Sequence, residues 1–128
     1  MTRQQLMAFC LSLPGAYEDH PFDDLTNQSR EEDAMPVMRH RLNRKIFAIL
    51  GFHKERWMVL LKCHPTEALI LRDTFRDVEP GYHMNKEHWN TVYLEGDVPE
   101  NEIHRQVMIS YDLTRPKGKR PPKIRQND

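Results

Sequence analysis

PVMRHRLNRKIFAILGFHKERWMVLLK, residues 36–62, is the stretch whose reading decides the fold. Its apolar residues come in runs of strand length, broken twice by short polar turns. Pro36–Leu42 leads into Asn43-Arg44, where asparagine tolerates the left-handed backbone of a tight hairpin. Lys45–Phe52 returns and is almost wholly apolar, as expected of a strand that lies centrally in the sheet. His53–Glu55 makes a second turn, and Arg56–Lys62 runs back as a third strand. Short turns force neighbouring strands to be antiparallel.

Helical patterning lies on either side. Downstream, Pro65–Phe75 sets Ala68, Leu71 and Phe75 on one helical face, with Glu67 near the positive end of the helix dipole. Pro80-Gly81 is a turn, and a further strand fits near Val78–Met84. Asn90–Glu95 alternates Val92 and Leu94 with Thr91 and Tyr93, as a strand does. Asp97-Val98-Pro99-Glu100 reads as a variant capping box opening a last helix, whose buried stripe is Ile103, Val107 and Tyr111. Upstream, Leu6, Phe9, Cys10 and Leu13 give residues 2–13 an amphipathic stripe that Pro14-Gly15 ends. Glu18 to Asp33 is acidic and irregular, and Thr26–Asp33 is expected to be a mobile loop. The predicted class is α+β: a mainly antiparallel sheet with helices packed on one face, in the order α-β-β-β-α-β(β)-α.

At 128 residues the chain is long enough for one domain with its own core. Net charge is zero, but unevenly spread. Residues 115–128 carry Arg115, Lys117, Lys119, Arg120, Lys123 and Arg125 against Asp128, net +5, leaving 13 basic and 18 acidic residues elsewhere, net −5. The predicted division is therefore a folded domain over 1–114 and a disordered, basic, proline-rich tail over 115–128. No apolar run resembles a signal peptide or a membrane span, and Cys10 and Cys63 form no disulfide framework. A reduced, cytoplasmic setting without a membrane partner is expected.

Catalytic motifs are absent from the sequence. Seven histidines raise the question of metal, yet Cys63-His64 and His83-x4-His88 lack zinc-ligand spacing. No nucleophile elbow, P-loop or dinucleotide glycine pattern occurs. Cys10 sits on an apolar stripe, and Cys63, between Lys62 and His64, reads as a structural thiol at a strand end. The acidic stretch lacks the alternating oxygen ligands of a calcium loop. Neither an enzyme nor a cofactor is expected.

Two segments carry chemistry all the same. Arg39-His40-Arg41-Leu42-Asn43-Arg44-Lys45 has four formal positive charges and no acid. A basic hairpin of this kind either lies along a nucleic-acid groove or merely guards a sheet edge against aggregation. Pro80 to Val92 concentrates aromatic, amide, imidazole and ammonium groups. In it Trp89 and Tyr82 either pack inward or stack on a ring, with Lys86 and His88 meeting an anion.

The second segment, Pro80-Gly81-Tyr82-His83-Met84-Asn85-Lys86-Glu87-His88-Trp89-Asn90-Thr91-Val92, closely resembles the signature of the MmcQ/YjbR family. Further landmarks agree: Leu13-Pro14-Gly15-Ala16-Tyr17, Pro21-Phe22, Arg39-His40, Lys45-x-Phe47-Ala48 and Leu61-Lys62-Cys63. The resemblance implies an antiparallel α+β fold of frataxin-like or secretion-chaperone-like kind, and DNA binding through β-hairpin wings. The residues placed in that role are Arg39, His40, Arg41, Arg44, Lys45, Lys86, His88 and Trp89, aided by the basic tail. The alternative is a small-molecule or peptide module with a pocket around Tyr82, His83, His88 and Trp89. An acidic body opposes the first reading, because it repels phosphate.

Overall fold

The computed structural model describes residues 1–23 and 30–117. Its elements are α1 (Arg3–Leu11), β1 (Ala16–Asp19), β2 (Val37–His40), β3 (Ile46–His53), β4 (Arg56–Lys62), α2 (Pro65–Thr74), β5 (Val78–Pro80), β6 (Trp89–Tyr93) and α3 (Glu100–Thr114). The strands form one sheet, ordered β1-β2-β3-β4-β6-β5, antiparallel at every pairing. The α+β class and the antiparallel sheet are as expected from the sequence.

Alternation across the strands gives the sheet two apolar faces. Met38, Ala48, Leu50, Val59, Leu61 and Val92 face the helices, meeting Leu6 and Cys10 of α1, Leu71 of α2, and Ile103 and Val107 of α3. The other face carries Val37, Ile49, Met58, Leu60 and Tyr93, and Phe22, Met35, Met84 and Trp89 from flanking segments and β6 pack on it. Loops thus cover the face that helices leave open.

Several local expectations are corrected. β1 runs into the stretch read as irregular, with Glu18 and Asp19 as its second half. Its residues Ala16-Tyr17-Glu18-Asp19 have no apolar alternation, and pairing with β2 makes them a strand. Glu31–Asp33, expected to be mobile, forms a 3-10 turn closed by the Arg30–Asp33 ion pair at 3.0 Å. The remainder of that loop expectation, and residues 118–128 of the expected disordered tail, lie outside the described residues. Asp97 does not cap α3: Pro99 holds the N-cap position without a side-chain bond. The Asp97 carboxylate instead accepts from the backbone N–H groups of Arg76 and Asp77, at 2.8 and 2.9 Å.

The β2–β3 turn departs from expectation in an instructive way. Arg44, not Asn43, takes the left-handed conformation, at φ 63°. Asn43 uses its amide instead, accepting from Lys45 N–H at 3.0 Å and donating to the Thr114 carbonyl at the end of α3 at 2.9 Å. Just past it, the β2–β3 register shifts between Met38 and Arg39, as at a bulge. Phe47 is buried there and stacks edge-on to Tyr111 of α3. The β3–β4 turn has both Lys54 and Glu55 left-handed, at φ 53° and 61°. That geometry favours asparagine and glycine, so Glu55→Gly should raise stability by about 1 kcal/mol. Urea unfolding would read this as a higher midpoint at unchanged slope; a lower midpoint would show that the turn is not strained.

Candidate nucleic-acid interface

Antiparallel pairing decides which loops share an end of the sheet. The 41–45 turn joins the end of β2 to the start of β3, and Ala48 pairs Leu61 near the end of β4. Lys62 of β4 pairs Trp89 at the start of β6, so the 81–88 loop lies at that end too. The bond from Asn43 to Thr114 brings the C-terminus of α3, with Arg115 and Lys117 beyond it, to the same place. Arg41, Arg44, Lys45, Lys62, Lys86, Arg115 and Lys117 therefore gather at one end of the molecule. From β2 to β6 is three strand steps, roughly 15 Å.

The opposite end holds Glu95, Asp97, Glu100 and Glu102 around the start of α3. Cations there are matched: Lys54 to Glu79 at 3.2 Å, Arg56 and Arg76 to Asp77 at 2.9 and 3.5 Å. At the basic end, among the described residues, Arg41, Arg44, Lys45, Lys62, Lys86 and Lys117 have no carboxylate at ion-pair distance, while Arg115 meets Asp112 at 3.6 Å. The carboxylates around the start of α3 are thus held away from this end, although exposed Glu87 of the 81–88 loop and Asp112 of α3 lie among its cations.

The residues singled out in the sequence divide into exposed and built-in groups. Arg41, Arg44, Lys45 and Lys86 are exposed. Arg39 is half-buried: its guanidinium holds Asp19 at 2.7 Å and the Arg44 carbonyl at 2.7 Å, which braces the turn and neutralises its charge. His40 is a correction: at only 2 % exposed it is built into the fold and presents no ring to a duplex, although it borders the cleft between Pro14 and Tyr111. Its Nε2 lies 2.9 Å from the Thr114 hydroxyl, which itself donates to the Ser110 carbonyl at 2.8 Å, so the ring nitrogen donates. Burial pushes this imidazole's pKa below its ordinary value and favours the neutral ring. Trp89 and His88 are half-buried; the His88 carbonyl accepts from Cys63 N–H at 2.8 Å.

The family-like segment is wired to α2 by a residue the sequence did not single out. Arg72 donates to Asn90 Oδ1 at 2.7 Å, to the Lys86 carbonyl, and to the Trp89 carbonyl at 3.3 Å. Buried Asn90 donates in turn to the Ala68 carbonyl at 3.3 Å. Lys86 Nζ closes the loop on the Gly81 carbonyl at 2.9 Å, and a Cβ on Gly81 would sit 2.8 Å from Trp89 Cβ. The only sequence cue to Arg72 is a lone cation in the last turn of α2. Arg72→Ala should lower stability by about 2–3 kcal/mol, since it strands three acceptors. Amide hydrogen exchange should then speed up over 81–89; unchanged protection there would mean the loop holds itself.

The four residues of the alternative pocket are not together. Tyr82 and His83 line a cavity of about 320 Å³ on the second sheet face with Phe22, Met35, Ile49, Leu60 and Met84, and His88 and Trp89 are not part of its wall. Both cysteines are buried, and burial pushes Cys10 up to about 12 and raises Cys63, the reverse of what a thiolate nucleophile requires. Among the described residues no three histidine, cysteine or carboxylate side chains come together to hold a metal ion, and no helix is long and apolar enough to cross a membrane.

An antiparallel six-stranded sheet backed by three helices, with the 80–92 signature tied to α2, defines a class of small α+β proteins. The YjbR family model matches residues 11–113, and the chain belongs to that family. It is 35 % identical over 111 residues to the uncharacterised protein YjbR of Escherichia coli K12, covering 87 % of this chain and 85 % of that one. The uncharacterised protein YyaQ of Bacillus subtilis is 30 % identical over 125 residues, covering 90 % and 99 %. A crystal structure of a Pseudomonas syringae protein superposes with TM-score 0.74 at 32 % identity, over 90 % of this chain and all of that one (100 %). A Deinococcus radiodurans protein described as a DUF419 domain gives TM-score 0.72 at 30 % identity, over 88 % and 77 %.

Proposed function

We propose that this domain binds duplex DNA, without catalysing a reaction, through the cationic end of its sheet. The observation that supports this is the set of exposed cations on the braced 41–45 turn, without a carboxylate at ion-pair distance, at the same end of the sheet as Lys62 and Lys86. Its span of roughly 15 Å exceeds the width of either duplex groove, about 12 and about 6 Å, so these cations reach phosphates on both rims. Backbone phosphates supply most of the affinity, and the ordered turn supplies orientation.

Six of these cations are exposed: Arg41, Arg44, Lys45, Lys86, Arg115 and Lys117. If each neutralises one phosphate, log affinity falls against log salt with a slope of about −5. A salt-titrated binding assay on a mixed-sequence duplex checks this. No measurable binding at low salt, or a slope near zero, would sink the reading.

The cavity beside Tyr82 and His83 favours a second reading, a small apolar ring compound held on the second sheet face. At about 320 Å³ its volume is at the lower end for a ligand pocket. Leu60→Trp, which fills that space, would abolish a thermal shift induced by such a compound.

A further inference from the structure

Leu42 sits at the tip of the basic turn and is 87 % exposed, against 63 % for Leu69, the next most exposed large apolar side chain among the described residues. It does no packing for the fold, yet the turn that carries it is held on every side. Arg41 N–H donates to the Gly15 carbonyl at 2.7 Å and Arg44 N–H to the His40 carbonyl at 2.8 Å. Asn43 fastens the tip to Thr114 at 2.9 Å, and Arg39 braces the Arg44 carbonyl at 2.7 Å. The result is one apolar side chain, presented on a rigid support, between two arginines with no carboxylate partner. Beside it opens a cleft of about 260 Å³ whose walls include Pro14, Tyr111 and Pro116, so its flank is not blocked.

We infer that Leu42 is a wedge, which enters between adjacent base pairs of a bound duplex and kinks it. This rests on the DNA-binding reading above and adds a deformation that phosphate contacts alone do not give. An apolar side chain driven between bases trades unstacking for burial, while the flanking cations hold the backbone at the kink. Unstacking is cheapest at pyrimidine–purine steps and mismatches, so those duplexes are the preferred ligands. An anionic lipid surface also accepts leucine among cations, but a single leucine without an amphipathic face is a poor anchor.

The test uses the full chain and a short duplex, labelled at both ends, carrying a central TA step or a mismatch. Wild-type protein should raise end-to-end energy transfer on binding. Leu42→Ala should abolish that rise while lowering affinity by no more than about tenfold and leaving the salt slope unchanged. Leu42→Phe should keep the bend. Bending by Leu42→Ala equal to wild type overturns the wedge and leaves the DNA reading standing. Absence of duplex binding by the wild type overturns both. Leu42-dependent sedimentation with phosphatidylserine vesicles, together with an unbent duplex, overturns the wedge in favour of a lipid contact.

Discussion

Asp77→Ala should lower the stability of this domain by about 3 kcal/mol, because one buried carboxylate closes the acidic end of the sheet. The Asp77 side chain is only 7 % exposed and accepts from Arg56 at 2.9 Å and from the backbone N–H of Asp97 at 2.9 Å. Asp97 returns the bond to Asp77 N–H at 2.9 Å, which ties the start of β5 to the approach to α3. Gly96 lies against the carboxylate, with no room for a Cβ. Removing Asp77 leaves the Arg56 guanidinium over the Tyr93 ring, at 4.2 Å, without its anion. Because Arg56 is partly in water, the loss falls at the lower end of the range for a broken buried pair. Asp77→Asn keeps an acceptor for Asp97 and should lose about half as much. Equilibrium urea unfolding measures both, and a loss below about 1 kcal/mol for the alanine variant would show the loop closing without this pair.

The same group sets an acid limb. The hydrogen bond from Arg56, foremost, holds the Asp77 carboxyl at about 2, below the ordinary 3.8. The unfolded chain therefore takes up the proton first as pH falls. The stabilisation, about 2 kcal/mol, is complete above roughly pH 5 and is lost progressively as pH falls toward 2. His40 acts in the same direction from a higher pH: its folded pKa lies below the ordinary 6.5, so stability begins to fall as pH drops through that value. Asp19, Asp33 and Glu102 are also held below their ordinary values, so Asp77→Ala should make the limb below pH 5 shallower without removing it, and leave the His40 part in place.

Reversing charge at the turn, as Arg41→Glu, Arg44→Glu and Lys45→Glu together, should weaken duplex binding about 500-fold at roughly 0.1 M salt. At that ionic strength each phosphate contact is worth roughly a factor of eight through counterion release, and three are removed. The salt slope should fall from about −5 to about −3. All three side chains are exposed, so thermal unfolding should change by only a few degrees. Arg76→Glu with Lys54→Glu at the opposite end, two reversals against three, is the control and should leave affinity within about threefold. Equal losses from both variants would mean that net charge, and not this surface, governs binding.

Much of the fold was legible because its signals are local. The runs in 36–62 specified β2, β3 and β4, and apolar spacing specified α2, β6 and the stripe of Ile103 and Val107. The 80–92 segment also revealed the family, although its residues turned out to be bound up in holding Arg72, Asn90 and Gly81 in place. β1 escaped notice because Ala16–Asp19 has strand character only through its partner β2.

What the sequence by itself determined was the α+β class, three central strands, the family, and a basic segment at 39–45. Tertiary structure alone decided that Arg39 and His40 brace that segment from within while Arg41, Leu42, Arg44 and Lys45 face solvent. It also decided that a body of net negative charge has a positive end. Charge along a chain is a sum, whereas charge in a fold is a position. The antiparallel order β2-β3-β4-β6 and the run of α3 bring cations from residues 41, 62, 86 and 117 to one end and send the carboxylates of residues 95–102 to the other. Pairing across such separations in sequence depends on which strand lies beside which, and no window of neighbouring residues contains that information.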